Sequence, residues 1–219
     1  MDFAGLDIRE SVTDAEGEAL AKLAESVAHE GMLIAEVGSW KGFSTAYLAS
    51  VAKAHRGLVL AVDHWRGNVG TWNEPVAKSQ DVFAIFHQNM KALGFEDVVI
   101  PWVTDSKNVE RFLRTSVLDL VFIDADHRAT PFNTDLSIWL QMVRQDGILC
   151  GHDCEAKYSA LSQPEQDFIL QYIEQDFVGS KHYGIIWTLY KVFKDKYDKI
   201  PGTILWCWKK SLGAFFLEN

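Results

Sequence analysis

Five short apolar runs recur along the chain, Leu33 to Val37, Leu58 to Val62, Val98 to Val103, Leu118 to Ile123 and Ile148 to Gly151, with helix-periodic stretches between them. Runs of this length without polar alternation are strands covered on both faces, and strands separated by helices pair in parallel through right-handed crossovers. Thr13 with Glu16 forms a capping box, and Leu20, Leu23, Ala24 and Val27 predict a helix to about Glu30, before Gly31. Tyr47, Leu48 and Val51 mark a second helix, and Phe83, Phe86, Met90 and Leu93 a third that ends at Gly94. Val109, Phe112 and Leu113 mark a short one. Thr130 reads as an N-cap before Pro131, with Leu136, Trp139, Leu140 and Val143 carrying that helix to Gly147. Pro101 places Val98 to Val103 at an edge, and His64 to Ser79, rich in Gly, Asn and Trp without a period, reads as a loop. Beyond Asp153 the spacing predicts helices over Gln163 to Phe177 and through Ile185, Ile186, Leu189, Val192 and Phe193, then a last strand from Thr203 to Trp208. The expected fold is a doubly wound α/β sheet forming a single domain over residues 1–219.

Several function classes fall away on composition. A chain of 219 residues can bury a full core without staples. With 30 acidic against 21 basic residues, its net charge of -9 opposes binding that neutralises phosphates, so nucleic acid is not an expected partner. Cys150, Cys154 and Cys207 show no CxxC pair and read as reduced thiols; Cys150, His152 and Cys154 have the spacing that strand alternation gives, without need of a zinc cluster. The opening Met1-Asp2-Phe3-Ala4 lacks the basic and apolar regions of a signal peptide, and no apolar run reaches membrane-spanning length, so a cytoplasmic chain without a membrane partner is expected. Lys191, Lys194, Lys196 and Lys199, interleaved with Asp195 and Asp198, read as a solvated helix face. The apolar tail from Gly213 to Leu217 is expected to dock on the domain or on a second subunit, which leaves room for a homo-oligomer.

Ligands of open α/β sheets bind beyond the carboxyl ends of the strands, and here those ends are acidic. They carry Glu36 with Gly38, Asp63, Asp105, Asp124 with Asp126 and His127, and His152 with Asp153. Glu36-Val37-Gly38-Ser39-Trp40-Lys41-Gly42 is a glycine-bearing turn between strand and helix, where a ligand can approach the backbone. A GxGxxG dinucleotide turn is not present, since Gly38, Trp40 and Phe43 stand at those places, and neither is a phosphate P-loop. A carboxylate ending the next strand, Asp63, suits the vicinal hydroxyls of a ribose. The ligand these residues point to is a nucleoside without a pyrophosphate.

The segments Glu16 to Leu23, EVGSWKGFSTAYLA from Glu36, AVDHWRG from Ala61, VTDS from Val103, VFIDADH from Val121 and GILCGHD from Gly147 together resemble class I S-adenosylmethionine-dependent methyltransferases. The likeness is to the small-molecule and sugar O-methyltransferase group, which includes macrolide-sugar enzymes and cephalosporin hydroxylase-like proteins. HYGIIWTLYKVF from His182 and TILWCWKK look like its closing helix and antiparallel strand, while 154–180 is less recognisable and reads as an insertion over the site. The resemblance implies a Rossmann-like, mainly parallel sheet, with Glu36, Gly38, Ser39, Gly42 and Ser44 around the methionine part of the cofactor. It implies Asp63 at the ribose, Trp65 and Asp105-Ser106 beside the adenine, and His64 and Asp124 among the further cofactor-binding residues. Ser39 stands where many relatives have a second glycine.

Methyl transfer from a sulfonium is an in-line displacement, and a hydroxyl acceptor must also lose a proton. Members of the resembled group often hold a divalent cation at the ends of the fourth and fifth strands, which implies Asp124, His152 and Asp153 here. A histidine in that set suits manganese, iron or zinc as readily as magnesium. Asp126 or His127 is expected to accept the hydroxyl's proton. The expected function is methylation of a small-molecule hydroxyl. The rival readings are a nucleoside-binding regulatory protein without catalysis, and a metal-dependent enzyme of the same fold with another reaction.

Overall fold

The computed structural model describes residues 1–9 and 12–211, so the apolar tail from Gly213 lies outside the described residues. The chain divides into two compact units, Met1–Val109 and Glu110–Asn219. The first contains helix α1 (Asp14–Glu25), strand β1 (Leu33–Val37), α2 (Phe43–Ala54), β2 (Leu58–Asp63), α3 (Asn73–Ser79), α4 (Val82–Ala92) and β3 (Val99–Val103). Its strands are ordered β3-β2-β1 and pair in parallel, Leu33 opposite Leu58 and Val59 opposite Val99. Pro101 sits in β3, outermost as expected. Thr13 and Glu16 close the capping box reciprocally, but α1 stops at Glu25, short of the expected Glu30, because the C-cap Ser26 turns its hydroxyl onto the Leu23 carbonyl.

Within His64 to Ser79, read as structureless, α3 forms. None of its residues is buried, so no apolar period could announce it, and a Glu74–Lys78 pair at 2.7 Å spans one turn of it.

The second unit contains β4 (Leu118–Ile123), α5 (Ala129–Met142), β5 (Val143–Gly151), α6 (Gln163–Phe168), α7 (Tyr183–Phe193), β6 (Asp198–Lys199) and β7 (Trp206–Lys209). Here β4 and β5 pair in parallel, while β7 runs antiparallel to both β5 and β6. Every residue of β4 is buried, which is why its sequence is apolar almost throughout. The exception, Asp119, is held by the Arg144 guanidinium. The β4–β5 register shifts between Leu118 and Leu120, and this irregularity lets β5 begin at Val143, five residues before the expected Ile148.

Helix α5 starts at Ala129 with Arg128 as its N-cap, so Thr130 lies inside the first turn and donates its hydroxyl to Glu174. Pro131 is tolerated there because first-turn N–H groups have no helical partner. The long helix expected from Gln163 to Phe177 is only α6 followed by a single 3-10 turn, Ile169–Gln171. Asp198 and Lys199, expected on a helix face, form β6, and the last strand begins at Trp206 instead of Thr203.

Gly184 in the first turn of α7 presses on backbone: a Cβ there would lie 2.3 Å from the His127 carbonyl oxygen and 2.7 Å from that of Ile173. Neither contact can yield like a flexible side chain. Gly184→Ala is therefore expected to destabilise the protein by roughly 1–3 kcal/mol, read as a lowered urea midpoint at unchanged slope.

Candidate active site

In the first unit the site begins at the turn between β1 and α2. Gly38 and Gly42 both take positive φ (88° and 93°), and so does Trp40 (44°). The Gly38 N–H donates to the Val62 carbonyl and the Gly42 N–H to the Ser39 carbonyl. A Cβ on Gly42 would come within 2.6 Å of the Met90 methyl, so that glycine serves both turn and packing. Asp63, at the end of β2, organises the turn: its Oδ2 accepts from the N–H groups of Ser39 (3.0 Å) and Trp40 (2.9 Å), and its Oδ1 from that of Trp65 (2.6 Å). Each carboxylate oxygen has two lone pairs, so Oδ1 keeps capacity for a further donor.

Glu36 is fully buried and accepts from the Thr45 hydroxyl. Ser44 is buried in the first turn of α2, whose N-terminus has no side-chain cap. Ser39 is buried as well, and its hydroxyl has no hydrogen-bond partner within the protein. An unmet buried hydroxyl at a glycine turn fits the polar amino-acid end of a cofactor. Trp65 is packed against Phe83 and Phe86 at ring distances of 4.8 and 5.1 Å, with its indole N–H donated to the Trp40 carbonyl, so it is a structural aromatic of this turn. His64 accepts from the Arg66 N–H, and Asp105, after β3, pairs with Lys107 at 3.2 Å beside Ser106. Trp72, half-exposed and edge-on to Trp40 at 5.8 Å, is an aromatic of this region that no sequence pattern singles out.

In the second unit the ends of β4 and β5 bring Asp124, His127, His152 and Asp153 together. His127 Nε2 lies 2.9 Å from Asp153 Oδ2 and 3.7 Å from Asp124 Oδ1; His152 Nδ1 lies 3.2 Å from Asp153 Oδ1 and 3.8 Å from Asp124 Oδ1. Asp153 itself has φ of 62°, which turns the chain sharply as β5 ends. Asp126 points elsewhere: its carboxylate is held bidentately by Arg128, whose backbone N–H it also accepts. Three further residues complete the cluster. Asp176 Oδ1 lies 2.9 Å from His127 Nδ1; His182 Nδ1 lies 2.7 Å from Glu155 and 3.4 Å from Asp153. Asp176 and Glu155 lie in or beside the unrecognised segment, and His182 opens the closing helix.

Burial alone would push the His127 pKa down, but Asp153, with Asp124 and Asp176, outweighs it and holds the imidazolium well above its ordinary value. Asp153 is pushed up by burial and more strongly down by His127 and His152, ending well below the usual carboxylate range. Asp124, His152 and Asp153 each offer a donor atom within 4.8 Å of the others, and two carboxylates with an imidazole fit a divalent transition ion.

The methyltransferase domain family matches residues 35–154, more than half of the chain, and the chain belongs to it. Solved structures share the fold: the methyltransferase PaMTH1 of Podospora anserina, bound to S-adenosylhomocysteine, at TM-score 0.64 and 12% identity, covering 92% of this chain and 80% of that one. A Staphylococcus aureus protein assigned as a caffeoyl-CoA O-methyltransferase aligns at 0.63 and 14%, covering 92% and 86%. A Clostridium thermocellum protein assigned as an rRNA methylase aligns at 0.59 and 14%, covering 92% and 100%. The architecture is the Rossmann-like fold of class I methyltransferases, mostly parallel with antiparallel strands at the C-terminal end, and S-adenosylmethionine is the family's cofactor. Among the described residues no helix is long and apolar enough to cross a membrane.

The His127–Asp153 pair sets a pH window for the metal-free protein. A raised histidine contributes its full stability below its unfolded value of 6.5 and loses it as pH rises toward the folded value; a depressed carboxylate contributes fully above its unfolded value of 3.8 and loses it as pH falls further. In chelator the urea midpoint should be highest between these values and fall from about pH 6.5 upward, and His127→Gln should flatten that alkaline fall.

Proposed function

We propose that this methyltransferase transfers the cofactor's methyl group to a hydroxyl of a small molecule, such as a sugar or natural product, with a divalent ion at Asp124, His152 and Asp153. The observation that carries this reading is the clustering of those three donors at the ends of β4 and β5, since hydroxyl acceptors are the ones that need help in shedding a proton. The net charge of -9 favours a small acceptor over the RNA named for one structural neighbour.

S-adenosylmethionine supplies the electrophilic carbon, and the ion, when bound, acidifies the hydroxyl. Ser39 offers its unmet hydroxyl to the methionine end of the cofactor. Asp63 serves the ribose hydroxyls through Oδ1 while its backbone bonds keep the turn in shape. The proton acceptor is one of two neighbours, Asp126 or His127. Asp126 has to loosen its Arg128 pair to act, and His127 has to release the proton its carboxylates hold.

Calorimetric titration with S-adenosylhomocysteine tests the cofactor half. The wild type should bind one equivalent, and Asp63→Ala should weaken it at least ~10-fold, the loss of hydrogen bonds to a charged group. Absence of binding in the wild type would remove the methyl-transfer reading. With an acceptor found by screening hydroxylated compounds, chelation should abolish turnover. The proton acceptor is then whichever of Asp126→Asn and His127→Ala loses ~10²–10⁴-fold in kcat.

A further inference from the structure

We propose that His127, Asp153 and His182 form a second metal-ligand triad, for a divalent transition ion of zinc type, which shares Asp153 with Asp124 and His152. One donor atom from each of the three lies within 4.8 Å of the other two. His127 Nε2 approaches Asp153 Oδ2 at 2.9 Å, while His182 Nδ1 approaches Oδ1 at 3.4 Å, so both oxygens of one carboxylate are engaged by different imidazoles. The two rings meet edge to face with centroids 4.6 Å apart, and Phe177 backs His182 at 4.8 Å.

Each ring is also held by a carboxylate of its own. Asp176 engages His127 Nδ1, which leaves Nε2 facing Asp153. Glu155 lies at the same His182 nitrogen, Nδ1, at 2.7 Å and accepts from the His182 backbone N–H at 3.0 Å, so it stands beside Asp153 in the donor set and not behind the ring. Asp176 is thus an outer carboxylate that fixes the orientation of the His127 ring, a recurrent support of metal-ligating histidines.

Charge argues for two ions. Asp124, Asp153, Asp176 and Glu155 carry -4 together, and His127, His152 and His182 as neutral ligands carry none. Two divalent ions supply +4; one ion leaves -2 in a cluster where His152 and Asp153 are buried. Two imidazoles with one carboxylate favour zinc, iron or manganese over magnesium, which prefers oxygen. The inference stands apart from methyl transfer, because occupancy is read without cofactor or acceptor. It does bear on that reaction, since a coordinated His127 leaves Asp126 as the proton acceptor.

Equilibrium dialysis of chelator-stripped protein against zinc, with elemental analysis, tests it. The wild type should take up about two zinc ions per chain, and His182→Ala and His152→Ala one each. Uptake by His182→Ala equal to the wild type would overturn the second triad, and so would a single wild-type zinc that is lost in His152→Ala and kept in His182→Ala. Should His182→Ala fail to fold by circular dichroism, Asp176→Asn decides. It keeps the ligand ring, so one of the two zinc equivalents should weaken ~10–100-fold, and unchanged affinity for both would overturn the proposal. Binding of S-adenosylhomocysteine by the same preparations separates this outcome from that of the methyl-transfer reading.

Discussion

Strands covered on both faces leave charge only one place to go. In β4 every side chain is buried, and the one carboxylate inside the strand, Asp119, requires Arg144 beside it. The carboxylates of the site stand at strand ends: Glu36 one residue before the end of β1, Asp63 closing β2, Asp124 after β4 and Asp153 after β5. There the chain must turn, and turning exposes backbone N–H groups that need acceptors. Asp63 meets three of them, so the residue placed to hold a ligand also holds the loop that would surround it.

That double duty changes how the glycine turn is understood. Gly42 resembles a ligand-approach glycine in the sequence, yet the Met90 methyl and the Phe86 ring already occupy the space a Cβ would need. Trp65 resembles a ring for an adenine, yet it is packed between Phe83 and Phe86 and anchored to the Trp40 carbonyl. Among the described groups of the turn, the Ser39 hydroxyl, the Trp40 indole N–H and the spare capacity of Asp63 stay uncommitted. A pocket whose frame satisfies itself presents few polar groups, and those few orient the ligand.

The sequence was legible wherever burial imposed a pattern. Strands β1, β2 and β4 read at nearly their true limits because both faces are covered, and α7 because its apolar face is nearly continuous. Helix α3 was invisible because it buries nothing, and β6 because two residues carry no period. The same division runs through the site. Asp124, His152 and Asp153 were legible as polar residues terminating apolar runs. Asp176 and Glu155 come from a segment with no such run to terminate, and only the fold shows that they face His127 and His182. His182 had a faint signal, an imidazole at the threshold of an apolar helix, which is where side chains reach a strand-end rim.

Asp153 shows why the cluster has to act as a unit. Burial disfavours its charge, and two imidazoles together reverse that, so the net gain is a difference between large opposing contributions. Removing one partner leaves the others uncompensated, which is far costlier than the small net worth of the intact pair. Such a network requires positive charge, and protons on His127 and His152 or divalent cations can each provide it. Cations displace those protons, because an imidazole must be neutral to ligate. Stability, proton binding and metal affinity are therefore linked through one carboxylate, and conditions that fill the site with metal also strengthen the fold that builds it.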